Sequence, residues 1–106
     1  MNKYLTHYFV AVEHPDVSPF EHREMLLVRD KLADEESSLT IEQKAQLKAA
    51  DRRLVEQAPL FYAELAHITD FKSERQRRQP NPKRWWWYLD VLASLPTPPR
   101  QMYKHI

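Results

Sequence analysis

Apolar residues recur along this chain in helical rather than strand-like steps. Tyr4, Leu5, Tyr8, Phe9 and Val12 share one face of a helix, which Pro15 ends by restricting His14. The segment is also rich in β-formers. A lone strand would leave its backbone unpaired, so helix is the prediction. Ser18-Pro19-Phe20-Glu21 then opens a second helix: Ser18 caps, Pro19 takes the first helical position and Glu21 completes a capping box. Phe20, Met25, Leu27, Val28 and Leu32 share its buried arc, with Leu26 alone outside it. This helix is expected to fray in the acidic run Asp34-Glu35-Glu36, because anions are unfavourable at a helix C-terminus.

Thr40 and Gln43 form a second capping box, and the longest pattern of the chain follows. Leu47, Ala50, Leu54, Ala58, Phe61, Leu65 and Ile68 recur in steps of three and four, a continuous helical seam. Pro59 falls inside it, removing the bond to the Val55 carbonyl. Because the seam keeps phase across the break, the pattern predicts one kinked helix, or two nearly collinear ones, over 40–78. Pro80-Asn81-Pro82 interrupts it. Asn81 as cap and Pro82 at the first turn predict a last helix to about Leu95, with Pro96, Pro98 and Pro99 as its stop. The expected architecture is a single all-α domain: a bundle of four helices with a long Pro-kinked central helix, and 96–106 as a Pro-rich C-terminal tail.

Composition supports this reading by elimination. The 106 residues include no glycine, where average usage of about 7% would supply several. Without it there is no Walker loop, no Rossmann fingerprint and no nucleophile elbow. The absence of cysteine excludes disulfides, thiol nucleophiles and zinc ribbons. No apolar run is long enough to span a membrane, and the N-terminal stretch lacks a signal-peptide pattern, so a cytoplasmic location is the default expectation.

Charge adds an asymmetry that the overall net charge of +1 hides. Residues 1–36 carry 4 basic and 8 acidic side chains, whereas residues 72–106 carry 8 and 2. Such a gradient marks an anionic partner for the C-terminal third, or attraction between the two ends in the fold.

The candidate chemistry concentrates in residues 72–95, which hold six of the sixteen basic residues and all three tryptophans. On an α-helix Trp85, Trp86 and Trp87 sweep about 200° of surface, more than a stripe of about 100° facing the core can take. Trp85 and Tyr88 are therefore expected in the core, with Trp86 or Trp87 flanking the exposed side. Arg77, Arg78, Lys83, Arg84, Trp86 and Trp87 form the candidate partner-binding surface, since Trp and Arg dominate interface hot spots. Arg77 and Arg78 also suit a helix C-terminus, but Lys83 and Arg84 sit at the unfavourable N-terminal pole of the last helix. The function expected is that of a small non-enzymatic interaction protein (an adaptor, regulator or subunit) binding a protein partner or itself. The alternative is nucleic-acid binding by the Arg75–Arg84 run with bases stacked on indoles.

Catalytic and metal signals are sparse. Glu64 and His67 form one E-x-x-H pair, the unit that di-iron bundles use twice, and no second copy exists. Glu21, His22 and Glu24 are the groups that would face it from the second helix. No metal or cofactor is expected. Arg100 and His105, in Arg100-Gln-Met-Tyr-Lys-His105, have the R-x4-H spacing that resembles the active-site motif of HEPN-type helical ribonucleases, which are also all-α. The resemblance covers those six residues and implies a small ribonuclease carried by Arg100 and His105, as a remote alternative.

Overall fold

The computed structural model describes residues 2–95, whose regular elements are all helical, with no strand among them. Six α-helices follow one another: α1 (Lys3–Ala11), α2 (Pro19–Glu35), α3 (Ile41–Glu56), α4 (Ala58–Leu65), α5 (Phe71–Arg78) and α6 (Leu89–Ala93). Single 3-10 turns lie at Glu36–Ser38 and Trp85–Tyr88. The all-α expectation holds; the helix count of four does not. The proposed tail 96–106, with Arg100 and His105, lies outside the described residues.

The helix starts follow the capping chemistry in the sequence. Both capping boxes form, Ser18 with Glu21 and Thr40 with Gln43. Asn2 caps α1 by accepting from the Tyr4 and Leu5 amides at 2.9 and 3.2 Å. Its own amide donates to Glu35 at 3.1 Å, tying the start of the chain to the end of α2.

α2 ends inside its acidic run, at Glu35, and the chain goes on as the 3-10 turn Glu36–Ser38. The helix reaches Glu35 because each carboxylate there meets a donor. Asp34 receives Arg84 at 2.7 Å, Glu35 receives Asn2, and Glu36 lies 3.8 Å from Arg29. These cationic and polar partners offset the unfavourable charge–dipole interaction.

The long central helix divides into three. Pro59 has no N–H to continue the α3 ladder, so α3 stops at Glu56, and Gln57 adopts φ −108°, ψ 18°. Pro59 then serves as an early residue of α4, where its missing N–H costs nothing. A second interruption follows Leu65, where the chain turns through residues 66–70 before Asp70 caps α5. The seam is nevertheless buried from Leu47 to Leu65, while Ile68 beyond it is only half-buried. Its phase records which side faces the core and not helix continuity. α5 ends on Gln79 at φ 47°, ψ 55°, a left-handed position usually filled by glycine or asparagine. Gln79 is the single non-glycine residue with positive φ among the described residues.

The last expected helix is the largest departure. Asn81 does act locally, accepting from the Lys83 amide at 2.9 Å, but no α-helix starts there. The chain passes through a turn, the 3-10 segment of Trp85–Tyr88 and then α6. α2 shares the packing centre with the 40–78 stretch: α1, α4 and the tryptophan turn pack on α2, while α1 also meets α3 and α6 packs on α4. Burial on several sides explains why Leu26, outside the expected face, is fully buried, while Phe20 at the helix start is 70% exposed.

Candidate functional site

Asp30 on α2 is the hub of the tryptophan-rich segment. Its Oδ1 accepts from the indole Nε1 of Trp86 at 2.9 Å and of Trp87 at 3.0 Å. Arg84 Nη1 reaches the same oxygen at 3.1 Å, and its Nη2 reaches Asp34 at 2.7 Å. Aspartates four residues apart on one face of α2 thus grip the segment that enters the 3-10 turn. The hydrogen bond that Arg84 donates to Asp34, helped by the one to Asp30, raises its guanidinium above the ordinary range.

Trp86 and Trp87 are consequently 2% and 1% exposed. The expectation that one of them flanks solvent is overturned, and Trp85 and Tyr88 are the half-buried pair. An α-helix here would bury a single stripe. The segment is instead a tight 3-10 turn packed against α2, α5 and α6, so neighbouring side chains point into different parts of the interior.

Arginines cover both indoles. The Arg29 guanidinium lies 4.1 Å from the Trp86 ring centre, and that of Arg78 lies 4.4 Å from Trp87. Arg29 is itself buried, donating from Nε and Nη2 to Asp51 on α3 at 2.9 and 3.0 Å. Tyr8 on α1 donates to the same carboxylate at 2.6 Å. Burial, reinforced by Asp51, pushes the Tyr8 hydroxyl far above the usual tyrosine range. Arg29 Nη1 is buried without a hydrogen-bond acceptor, and the indole face is its compensation. One polar network therefore joins α1, α2, α3 and the tryptophan turn.

The remaining arginines of the candidate surface are also engaged. Arg77 and Arg78 both donate to Glu74 Oε2, one turn back on α5, and Arg23 of α2 reaches Glu74 Oε1 at 3.2 Å. Burial would raise the Glu74 carboxyl, but hydrogen bonds from Arg78 and Arg77 outweigh it and hold the group below the usual carboxylate range. Arg75 grips Asp90 with two bonds at 2.7 and 3.1 Å and donates to the Trp87 carbonyl. Arg77 stays 63% exposed at its side chain, and Lys83 is exposed. Of the six residues singled out from the sequence, the structure places Trp86 and Trp87 in the core and Arg78 and Arg84 against it. Arg77 and Lys83 remain at the surface.

A second feature escaped the sequence reading: a groove of about 410 Å³ between α1, the loop after it and the first turns of α2. Val10, Ala11 and Val17 give it apolar walls, and the rim carries His14, Glu21 and Glu24. His22 closes its base, 1% exposed, with Nε2 3.0 Å from the Pro15 carbonyl and its ring edge-on to Phe61 at 4.6 Å. That contact fixes the loop against α2. Val10 remains 52% exposed. Phe9, expected on the buried face of α1, is itself 40% exposed, and no pattern in the sequence marks the groove.

The Glu64/His67 pair is not joined by Glu21, His22 and Glu24, since His22 is committed to Pro15 and Phe61. No group of three or more residues suited to holding a metal ion occurs among the described residues. No helix there is long and apolar enough to cross a membrane.

The class that fold and site together define is a small all-α protein with an internal Asp/Arg/Trp network and an open groove. No protein-family model, curated protein or solved structure matches the chain.

Proposed function

We propose that this chain is a small helical interaction protein that receives a segment of a protein partner in the α1–α2 groove. The observation that carries the reading is Val10, which stays half-exposed as a wall of an apolar groove. Apolar side chains held open in a preformed depression favour a partner that removes them from water. The Asp30-centred network supports the same reading indirectly, because it ties the helices on which the groove is built into one body. The tryptophans act in this scheme as structural anchors, and Arg77 and Lys83 as surface charges outside the contact.

The nucleic-acid reading lacks comparable support: Arg75, Arg77, Arg78 and Arg84 already face carboxylates within the chain. The test is site-specific photo-crosslinking in cells that express the protein, with the photoreactive residue at Val10 or, in a second variant, at Lys83. A discrete protein adduct from position 10 and none from position 83 is the expected result. Adducts from position 83 alone would overturn the groove and restore the C-terminal basic surface.

A further inference from the structure

We infer that the segment taken by this groove is cationic and amphipathic: an apolar face, best presented by a helix, flanked by lysine or arginine. The inference rests on the docking reading above and adds the partner's chemistry. Two features carry it.

The first is shape. Six of the nine residues around the groove are exposed, so it is an open trough that does not enclose a small molecule. Small-ligand sites bury most of their ligand's surface. An open trough with apolar walls instead suits side chains projecting from one face of a helix.

The second is charge. The groove's carboxylates are Glu21 and Glu24, set beside the imidazoles of His7, His14 and His22, and no lysine or arginine lines it. The arginines of this part of the chain are held elsewhere: Arg29 is buried against Asp51 and Arg23 pairs with Glu74. The positive pole of α2 offsets part of the Glu21 charge, since Glu21 also closes the capping box on the Ser18 amide. Glu24 lies beyond that first turn, exposed on the rim. A cationic flank on the partner gains from these carboxylates, and an anionic one is repelled.

The test titrates the full chain, labelled with ¹⁵N, with three synthetic peptides: an amphipathic Leu/Lys helix, its Leu/Glu counterpart and a Ser/Lys peptide without an apolar face. The Leu/Lys peptide is expected to shift the Val10, Ala11 and Val17 amides. Its affinity should fall several-fold from about 0.05 M to about 0.5 M salt. Glu24→Lys, on an exposed face and with an unchanged urea midpoint as its folding control, should weaken binding by about tenfold. Equal or tighter binding of the Leu/Glu peptide, or full affinity in Glu24→Lys, would overturn the cationic assignment. Equal binding of the Ser/Lys peptide would overturn the amphipathic one. Failure of all three peptides while Val10 still crosslinks would sink this inference and leave the docking reading standing. A concentration-dependent dimer abolished by Val10→Glu would replace the cationic segment with a second copy of the chain.

Discussion

Replacing Asp30 with alanine removes the one side-chain acceptor shared by Trp86, Trp87 and Arg84. Both indole N–H groups belong to residues 2% and 1% exposed, so neither reaches water unless the turn opens. An orphaned buried donor costs about 1–3 kcal/mol. Three donors on one oxygen exceed its two lone pairs, so the individual bonds are weaker than isolated ones. Arg84 keeps Asp34 and the Asp30 carbonyl and contributes less. The net loss is then about 3 kcal/mol, a large share of the roughly 5–15 kcal/mol that stabilises a small domain. Asp34→Ala is the control: its side chain is 61% exposed, and a surface pair of this kind contributes about 1 kcal/mol or less. Asp30→Asn, which keeps an acceptor oxygen without the charge, should fall between the two. Urea unfolding followed by far-UV circular dichroism and by tryptophan emission measures all three. If Asp30→Ala costs no more than Asp34→Ala, the hub assignment is wrong.

Three further expectations follow from the same contacts. Gln79→Gly should raise stability by roughly 0.5–1 kcal/mol, read as a higher urea midpoint, because glycine occupies the left-handed cap without a Cβ clash. Arg29→Met should cost about 3–5 kcal/mol by leaving the Asp51 carboxylate facing Tyr8 alone, and Arg29→Met with Asp51→Leu should recover much of that loss in the same assay. Glu74 and Asp90 are held low by their arginines, so they contribute stability above the ordinary carboxylate pKa that is lost as pH falls through their lowered values. The urea midpoint should therefore decline below about pH 4.5, and Glu74→Gln should flatten that decline.

What the sequence revealed and what it hid divide along a physical line. Caps and seams are local and were legible: Ser18 with Glu21, Thr40 with Gln43, and the buried phase from Leu47 to Leu65. Breaks were harder, because a seam keeps its phase through Pro59 even though the helix does not continue. Burial of the tryptophans was misread because a helical wheel assumes one partner surface, whereas the Trp85–Tyr88 turn meets three helices. Asp30 reads in sequence as an ordinary solvated helix position. Two signals were nonetheless present: the opposite charges of the two ends, and aspartates at positions 30 and 34 spaced to share a face. Arg84 crossing to both is that attraction made concrete. The α1–α2 groove was not legible, since it depends on His22 drawing the Pro15 loop onto α2.

The central claim is that Trp86 and Trp87 form an interior anchor on Asp30. Indole N–H exchange with deuterium, followed resonance by resonance, tests it most directly. The structure predicts slow exchange for the Trp86 and Trp87 indoles and fast exchange for Trp85, with protection of the first two lost in Asp30→Ala. Immediate exchange of all three indoles would contradict it and return the tryptophans to the protein surface.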